Sequence, residues 1–259
     1  MKLGPAFPAI CDRAALPREI LVLVAHPDDE VIGIGGLLAF HGRRGDVVEV
    51  VHATEGDAGD PRGLSRLEGD AMSVDSPGGA SAGIAQIRAR EVEAALAVLG
   101  LKKPSGLGFP DGDLASHYAQ LVDRLGNLFA ERRPKLLYTF FPGEYHSDHR
   151  TLARAACDAR DFLPRDCRIL LFGVNQVVPF GSLFDYSDLV DAKDRALACF
   201  ASQLAYVDFK TKALCRDVAA TVNVEDRAVT HAELLAETSV AAWAAYVAAI
   251  DALAEVHHA

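Results

Sequence analysis

Closely spaced cysteines are missing from this chain. Its five, Cys11, Cys157, Cys167, Cys199 and Cys215, are odd in number and scattered, which argues against a zinc knuckle, a Cys-x-x-Cys redox motif or a disulfide framework. Reduced thiols in a cytoplasmic protein are the expectation. Positive charge is also short: 26 Lys and Arg against 36 Asp and Glu leave a formal net charge of -10, which opposes a nucleic-acid backbone or an anionic membrane as partner. No apolar run reaches bilayer-spanning length. The longest late one, Val240 to Ile250, carries Trp243 and Tyr246 at helical spacing and reads as core packing, so no membrane span is expected. The opening Met1 to Pro8 is broken by prolines, and no export is expected from it. Internal repeats and low-complexity linkers are absent, so the 259 residues are expected to form one domain, with a core over about 20–205 and a helical extension over about 206–256. A homo-oligomer is compatible with this.

What is present is a set of acidic turns at the ends of apolar strands. Ile20 to Val24 is β-branched and leucine-rich, as in a strand buried on both faces, and runs into Ala25-His26-Pro27-Asp28-Asp29-Glu30. Pro27 ends the strand by removing a backbone donor. An N-cap role explains one carboxylate of this turn, but not a histidine beside two of them next to a core. A helix over 30–43 follows, with Gly33, Gly35 and Gly36 in its first turns for close packing or close approach of a ligand. The glycines do not make a dinucleotide fingerprint, and a carboxylate-rich turn repels phosphate.

Further along, strands are expected at 46–53, 107–109, 135–141 and 168–174. Helices are expected at 84–99, 118–132, 149–160, 189–204, 207–219 and 229–256. The Gly/Ser/Asp-rich stretch 54–83 is a long loop, either functional or an insertion. Glu91 falls on an otherwise apolar helix side and calls for a polar partner. Strand–helix alternation predicts an α/β, Rossmann-like, doubly wound and mainly parallel sheet with a helical C-terminal region. In the order 3-2-1-4-5, strands one and four are neighbours, and the clusters at 26–30 and 146–149 face each other beyond the strand ends. Two histidines and a carboxylate with room for water are the ligand set of a catalytic zinc ion, and a remaining carboxylate can take a proton. Spacing alone does not tell Asp28 from Asp29.

Ala25-His26-Pro27-Asp28-Asp29-Glu30, the glycines at 33, 35 and 36, Arg88 with Glu91, Pro110-Asp111-Gly112 and His146-Ser147-Asp148-His149 together resemble the LmbE/PIG-L family of zinc-dependent N-deacetylases, over about residues 20–205. The resemblance implies a Rossmann-like fold and removal of acetyl groups from N-acetylglucosamine-type sugars or glycoconjugates. It implies Zn2+ held by His26, Asp29 and His149, with Asp28 as general base. His146 would stabilise the oxyanion as an imidazolium, with Asp148 holding its ring, and Arg88 and Asp111 would bind sugar hydroxyls. Glu144 departs from the thiol-sugar branch, where a tyrosine assists at that place. Ser202-Gln203-Leu204 instead looks like relatives acting on cell-surface or secondary-metabolite sugars. Two rivals remain: a non-haem Fe(II) oxygenase using a His/Asp/His triad, which the alternating pattern opposes, and a sugar-binding module, which would have no use for a general base.

Overall fold

Strand β1 (Glu19–Val24) is buried at every residue but its first, as its composition requires of a strand covered on both faces. The computed structural model describes residues 9–59 and 79–258. With β1, the strands β2 (Val47–Thr54), β3 (Ser105–Phe109), β4 (Leu136–Phe140), β5 (Arg168–Phe172), β6 (Ser182–Asp185) and β7 (Ala232–Ser239) form a 7-stranded sheet in the order β3-β2-β1-β4-β5-β7-β6. The first five pair in parallel in the expected 3-2-1-4-5 order. Strand β7 is antiparallel to both β5 and β6. A mainly parallel open sheet is not the antiparallel barrel in which an Fe(II) oxygenase triad sits.

Helices alternate with the parallel strands: α1 (Asp29–Arg44), α2 (Gly79–Val98), α3 (Tyr118–Arg132) and α4 (Ser147–Asp158). Leu121, Leu125, Leu128 and Phe129 line the buried stripe of α3, each worth about 1.5–3 kcal/mol on burial. Gly45, at φ 73°, closes α1 in the left-handed conformation that glycine adopts freely. Gly33 and Gly36 serve close packing. A Cβ on Gly33 would stand 2.3 Å from the Phe172 ring, and one on Gly36 would stand 2.2 Å from the Tyr186 ring. The central part of the 54–83 loop lies outside the described residues.

The C-terminal region corrects the sequence reading. In place of an all-helical extension over 206–256, the chain forms α7 (Phe209–Ala219), then β7, then α8 (Trp243–His258). Ala232-Glu233-Leu234-Leu235-Ala236-Glu237 has the composition of a helix, yet it fills the space between β5 and β6. Tertiary packing overrides propensity there. Strand β6 was not expected at all, and the expected helix over 189–204 is divided into α5 (Val190–Leu197) and α6 (Ala201–Leu204).

Candidate metal centre and active site

The two motifs meet because β1 and β4 are neighbours. The turn after β1 carries His26, Asp28 and Asp29, while the loop after β4 carries Glu144 and His146 into the first turn of α4, which holds Asp148 and His149. His26 Nδ1 lies 3.2 Å from Asp29 Oδ2, His149 Nε2 lies 3.2 Å from Asp29 Oδ1, and the two ring nitrogens are 3.3 Å apart. A tetrahedron with zinc-to-nitrogen bonds has edges of about 3.3 Å, so the spacing and the nitrogen and oxygen donors fit that ion. His26, His146 and His149 also offer ring nitrogens within 4.8 Å of one another, a looser alternative set.

Both histidines are held from behind, as metal-ligating imidazoles are. His149 Nδ1 is 3.1 Å from Glu144 Oε2, and the Phe140 ring stacks on it at 4.0 Å. Glu144 is itself buried and accepts from the backbone N–H groups of Val174, Asn175 and Gln176. His26 Nε2 lies 2.9 Å from Asp111 and 3.4 Å from Asp148. The remaining Asp111 oxygen accepts from Ala58 N–H, and Asp148 accepts from the N–H groups of Gly112 and Leu114.

Asp28 stands at the head of α1 with φ 134° and ψ -29°, a conformation costly for a residue with a side chain and characteristic of functional sites. Arg88, buried, donates to Asp28 Oδ2 at 3.1 Å, to the Pro27 carbonyl at 2.7 Å and to the Gly56 carbonyl at 3.0 Å. Arg88 therefore faces inward onto the Asp28 turn, and Asp111 faces His26, whereas the resemblance implied contacts with sugar hydroxyls for both. Glu30 is fully buried against His52 Nε2 at 3.1 Å. Glu91 finds its polar partner in Ser202, whose backbone N–H and hydroxyl both donate to it at 2.7 Å.

Charges in the cluster are strongly shifted. Burial opposes a proton on His149, but Asp29 and Glu144 outweigh it and push the ring up to about 9. His26 is likewise raised well above its ordinary value, its carboxylate neighbours Asp111, Asp148 and Asp29 outweighing burial. Burial also opposes ionisation of Asp29, yet the two histidines hold it well below the usual carboxylate range. Asp28 is pushed up to about 7, chiefly by burial, against the pull of Arg88. The cluster thus gathers protons where a cation would sit.

His146 corrects the expectation of an imidazolium. Burial, then the positive neighbours His26 and His149, press its pKa down. Nor does the Asp148 carboxylate hold its ring. His146 is the N-cap of α4 and its Nδ1 accepts from the Asp148 backbone N–H at 3.2 Å, which leaves the ring proton on Nε2. The Asp148 carboxylate turns to His26 and the 112–114 turn because the first helical turn directs it there. The part of Glu144 behind His149 was not foreseen. A glutamate five residues before the second histidine was its only sequence signal, while Tyr145 beside it is 69% exposed.

The family described as GlcNAc-PI de-N-acetylase (PIG-L) matches residues 21–160, more than half of the chain. A 1D-myo-inositol 2-acetamido-2-deoxy-alpha-D-glucopyranoside deacetylase of Kineococcus radiotolerans is 29% identical over 178 residues, covering 57% of this chain and 46% of that protein. The chain thus spans about half the length of that relative. A probable N-acetyl-alpha-D-glucosaminyl L-malate deacetylase 2 of Bacillus cereus is 27% identical over 222 residues, covering 82% of this chain and 93% of that one. The solved N,N'-diacetylchitobiose deacetylase of Pyrococcus horikoshii superposes with a TM-score of 0.70 at 21% identity, covering 87% and 85% of the two chains. The 4-carboxy-2-hydroxymuconate hydratase of Pseudomonas putida does so with 0.67 at 22%, covering 86% and 96%. At these identities the structures share a fold. The sequence match and the histidine–carboxylate cluster at the ends of β1 and β4 together lead to one conclusion: this chain belongs to the PIG-L family.

Proposed function

We propose that this chain, as one catalytic unit, is a zinc-dependent hydrolase that removes the N-acetyl group from an N-acetylglucosamine-type sugar or glycoconjugate. The observation that carries the reading is the trio His26, Asp29 and His149, whose two ring nitrogens are 3.3 Å apart and each 3.2 Å from one of the Asp29 oxygens, with Asp28 on the same turn. His26, Asp29 and His149 would hold the metal, with Glu144 fixing the His149 tautomer and Asp111 and Asp148 orienting His26. When bound, zinc supplies a Lewis acid that polarises the amide carbonyl and lowers the pKa of water.

Asp28 is the general base. Its raised pKa makes it a better proton acceptor near neutrality than an ordinary carboxylate, and Arg88 fixes its direction. The proton it takes from the attacking water is then available to the departing amine. His146, neutral and carrying its proton on Nε2, donates a hydrogen bond to the developing oxyanion. This needs no charge on the ring. Among the described residues no helix is long and apolar enough to cross a membrane.

The fold also occurs in a hydratase, so water addition to a carbon–carbon double bond is the second reading. A panel of N-acetylated sugars and glycoconjugates, run beside unsaturated dicarboxylates with zinc-loaded protein, separates the two. Acetate release from the sugars is expected. No acetate from any of them, with metal bound, would sink the deacetylase reading.

A further inference from the structure

Helix α1 is broken one turn beyond Asp29. Ile34 has φ -137° and ψ 30°, outside helical values. The two groups that an unbroken helix would pair across this point, Gly36 N–H and Ile32 C=O, are both taken by charged side chains from the C-terminal region. Gly36 N–H donates to Glu233 Oε1 at 2.7 Å, and Leu37 N–H donates to Oε2 at 2.8 Å. Arg216, on α7, donates through Nη2 to the Ile32 carbonyl at 2.7 Å.

The same guanidinium reaches the other half of the centre. Its Nη1 donates to the carbonyls of Gly173 at 3.2 Å and Val174 at 3.1 Å. Val174 N–H in turn donates to Glu144, whose second oxygen meets His149 Nδ1. One side chain therefore ties Ile32, three residues beyond Asp29, to the loop that fixes His149. Behind it, Asp217 Oδ1 accepts from Arg216 Nε at 3.2 Å and from Nη2 at 3.1 Å. Asp217 Oδ2 accepts from Lys193 and from the Tyr186 hydroxyl, both at 2.6 Å, and Lys193 also donates to Glu233. Two basic side chains face two acidic ones in this clamp, and Lys193, Asp217 and Glu233 are almost completely buried.

We infer that Arg216 is a positioning residue that sets the spacing between Asp29 and His149, and so the shape of the metal centre, from behind it. The inference rests on the metal-binding part of the proposed function and not on its substrate. A planar fork with several fixed donors spans the carbonyls of Ile32, Gly173 and Val174 at once; the single ammonium of a lysine does not. A clamp that served stability alone would lower the unfolding temperature when loosened, yet leave the ligand geometry of the folded protein unchanged.

The test uses the full chain with Arg216→Lys and Arg216→Gln, each shown folded by circular dichroism at the assay temperature. Zinc affinity is measured by chelator competition, and ligand geometry by the visible spectrum of the cobalt(II)-loaded protein. Zinc affinity is expected to fall about 10- to 100-fold in both variants, as for loss of an outer partner of a metal ligand. The cobalt bands are expected to shift. Folded variants with wild-type affinity and spectrum would overturn the inference and leave the proposed function standing. Failure of both variants to fold would also overturn it, because stabilisation alone then accounts for the clamp. If the wild-type chain binds no divalent metal, this inference and the proposed function fall together.

Discussion

His146 and His149 stand three residues apart at the start of α4 and are driven in opposite directions. His149 is buried between Asp29 and Glu144, which push it up to about 9, whereas His146 is exposed, caps the helix and is pressed down by burial of its inner part and by its two histidine neighbours. The same residue type in one short motif thus becomes a cation seat in one place and a neutral donor in the other. The surroundings assign the work, because what differs is which carboxylates each ring reaches.

His149→Ala should break the comparison most completely. Removing the ring between Asp29 and Glu144 leaves two buried carboxylates facing each other, and purified protein is expected to hold no stoichiometric zinc by metal analysis. Asp28→Asn keeps the metal and lowers kcat about 10²–10⁴-fold, the share of a general base. His146→Ala should also keep the metal while lowering kcat about 10²–10³-fold, as expected for one lost oxyanion donor. Metal loss in that variant would mean that His146 is a ligand and that the looser three-histidine set is the true one. Glu144→Gln should weaken zinc binding about 10–100-fold in competition with a chelator.

The smallest effect is on stability against pH. In metal-free protein His149 has a folded pKa of about 9, above its unfolded value, so its contribution is complete below about 6.5 and is lost as pH rises through about 9. Melting of chelator-treated protein should therefore decline between these limits, with a contribution on the order of 3 kcal/mol, and the decline should shrink in His149→Ala. Zinc displaces the same proton, so zinc affinity should rise over the same window. A melting temperature that climbs from neutral to alkaline pH in the metal-free chain would contradict the assignment of His149.

The parallel half of the sheet was legible because most of its strands are short apolar runs ending in a polar turn and because strand–helix alternation implies parallel pairing; the order 3-2-1-4-5 was assumed, and the structure has it. With that order, the clusters at 26–30 and 146–149 face each other, as they do in the structure. Strand β7 was not legible. Its Ala, Glu and Leu residues favour a helix, and only a vacant position between β5 and β6 selects the strand. Side-chain direction was likewise beyond spacing: nothing in the sequence around Arg88 shows that it turns to the carbonyls of Pro27 and Gly56. Arg216 and Glu233 carry no local signal of their contact with α1, because their partners lie far away in the chain.

The place of β7 also dictates an order of assembly. Chains emerge from the ribosome amino end first, and both family motifs lie within residues 21–160, so the parallel strands are available early. Strand β6 is made before β7, and among the described residues it has its ladder with β7 and a single bridge to Ile10, while β5 keeps an open edge until β7 arrives. The nascent protein must therefore keep a strand edge bare to its neighbours until Ala232–Ser239 has been made. A fragment cut at the end of the family match would lack β5 as well and keep the β4 edge bare, and its expected fate is aggregation rather than a smaller enzyme.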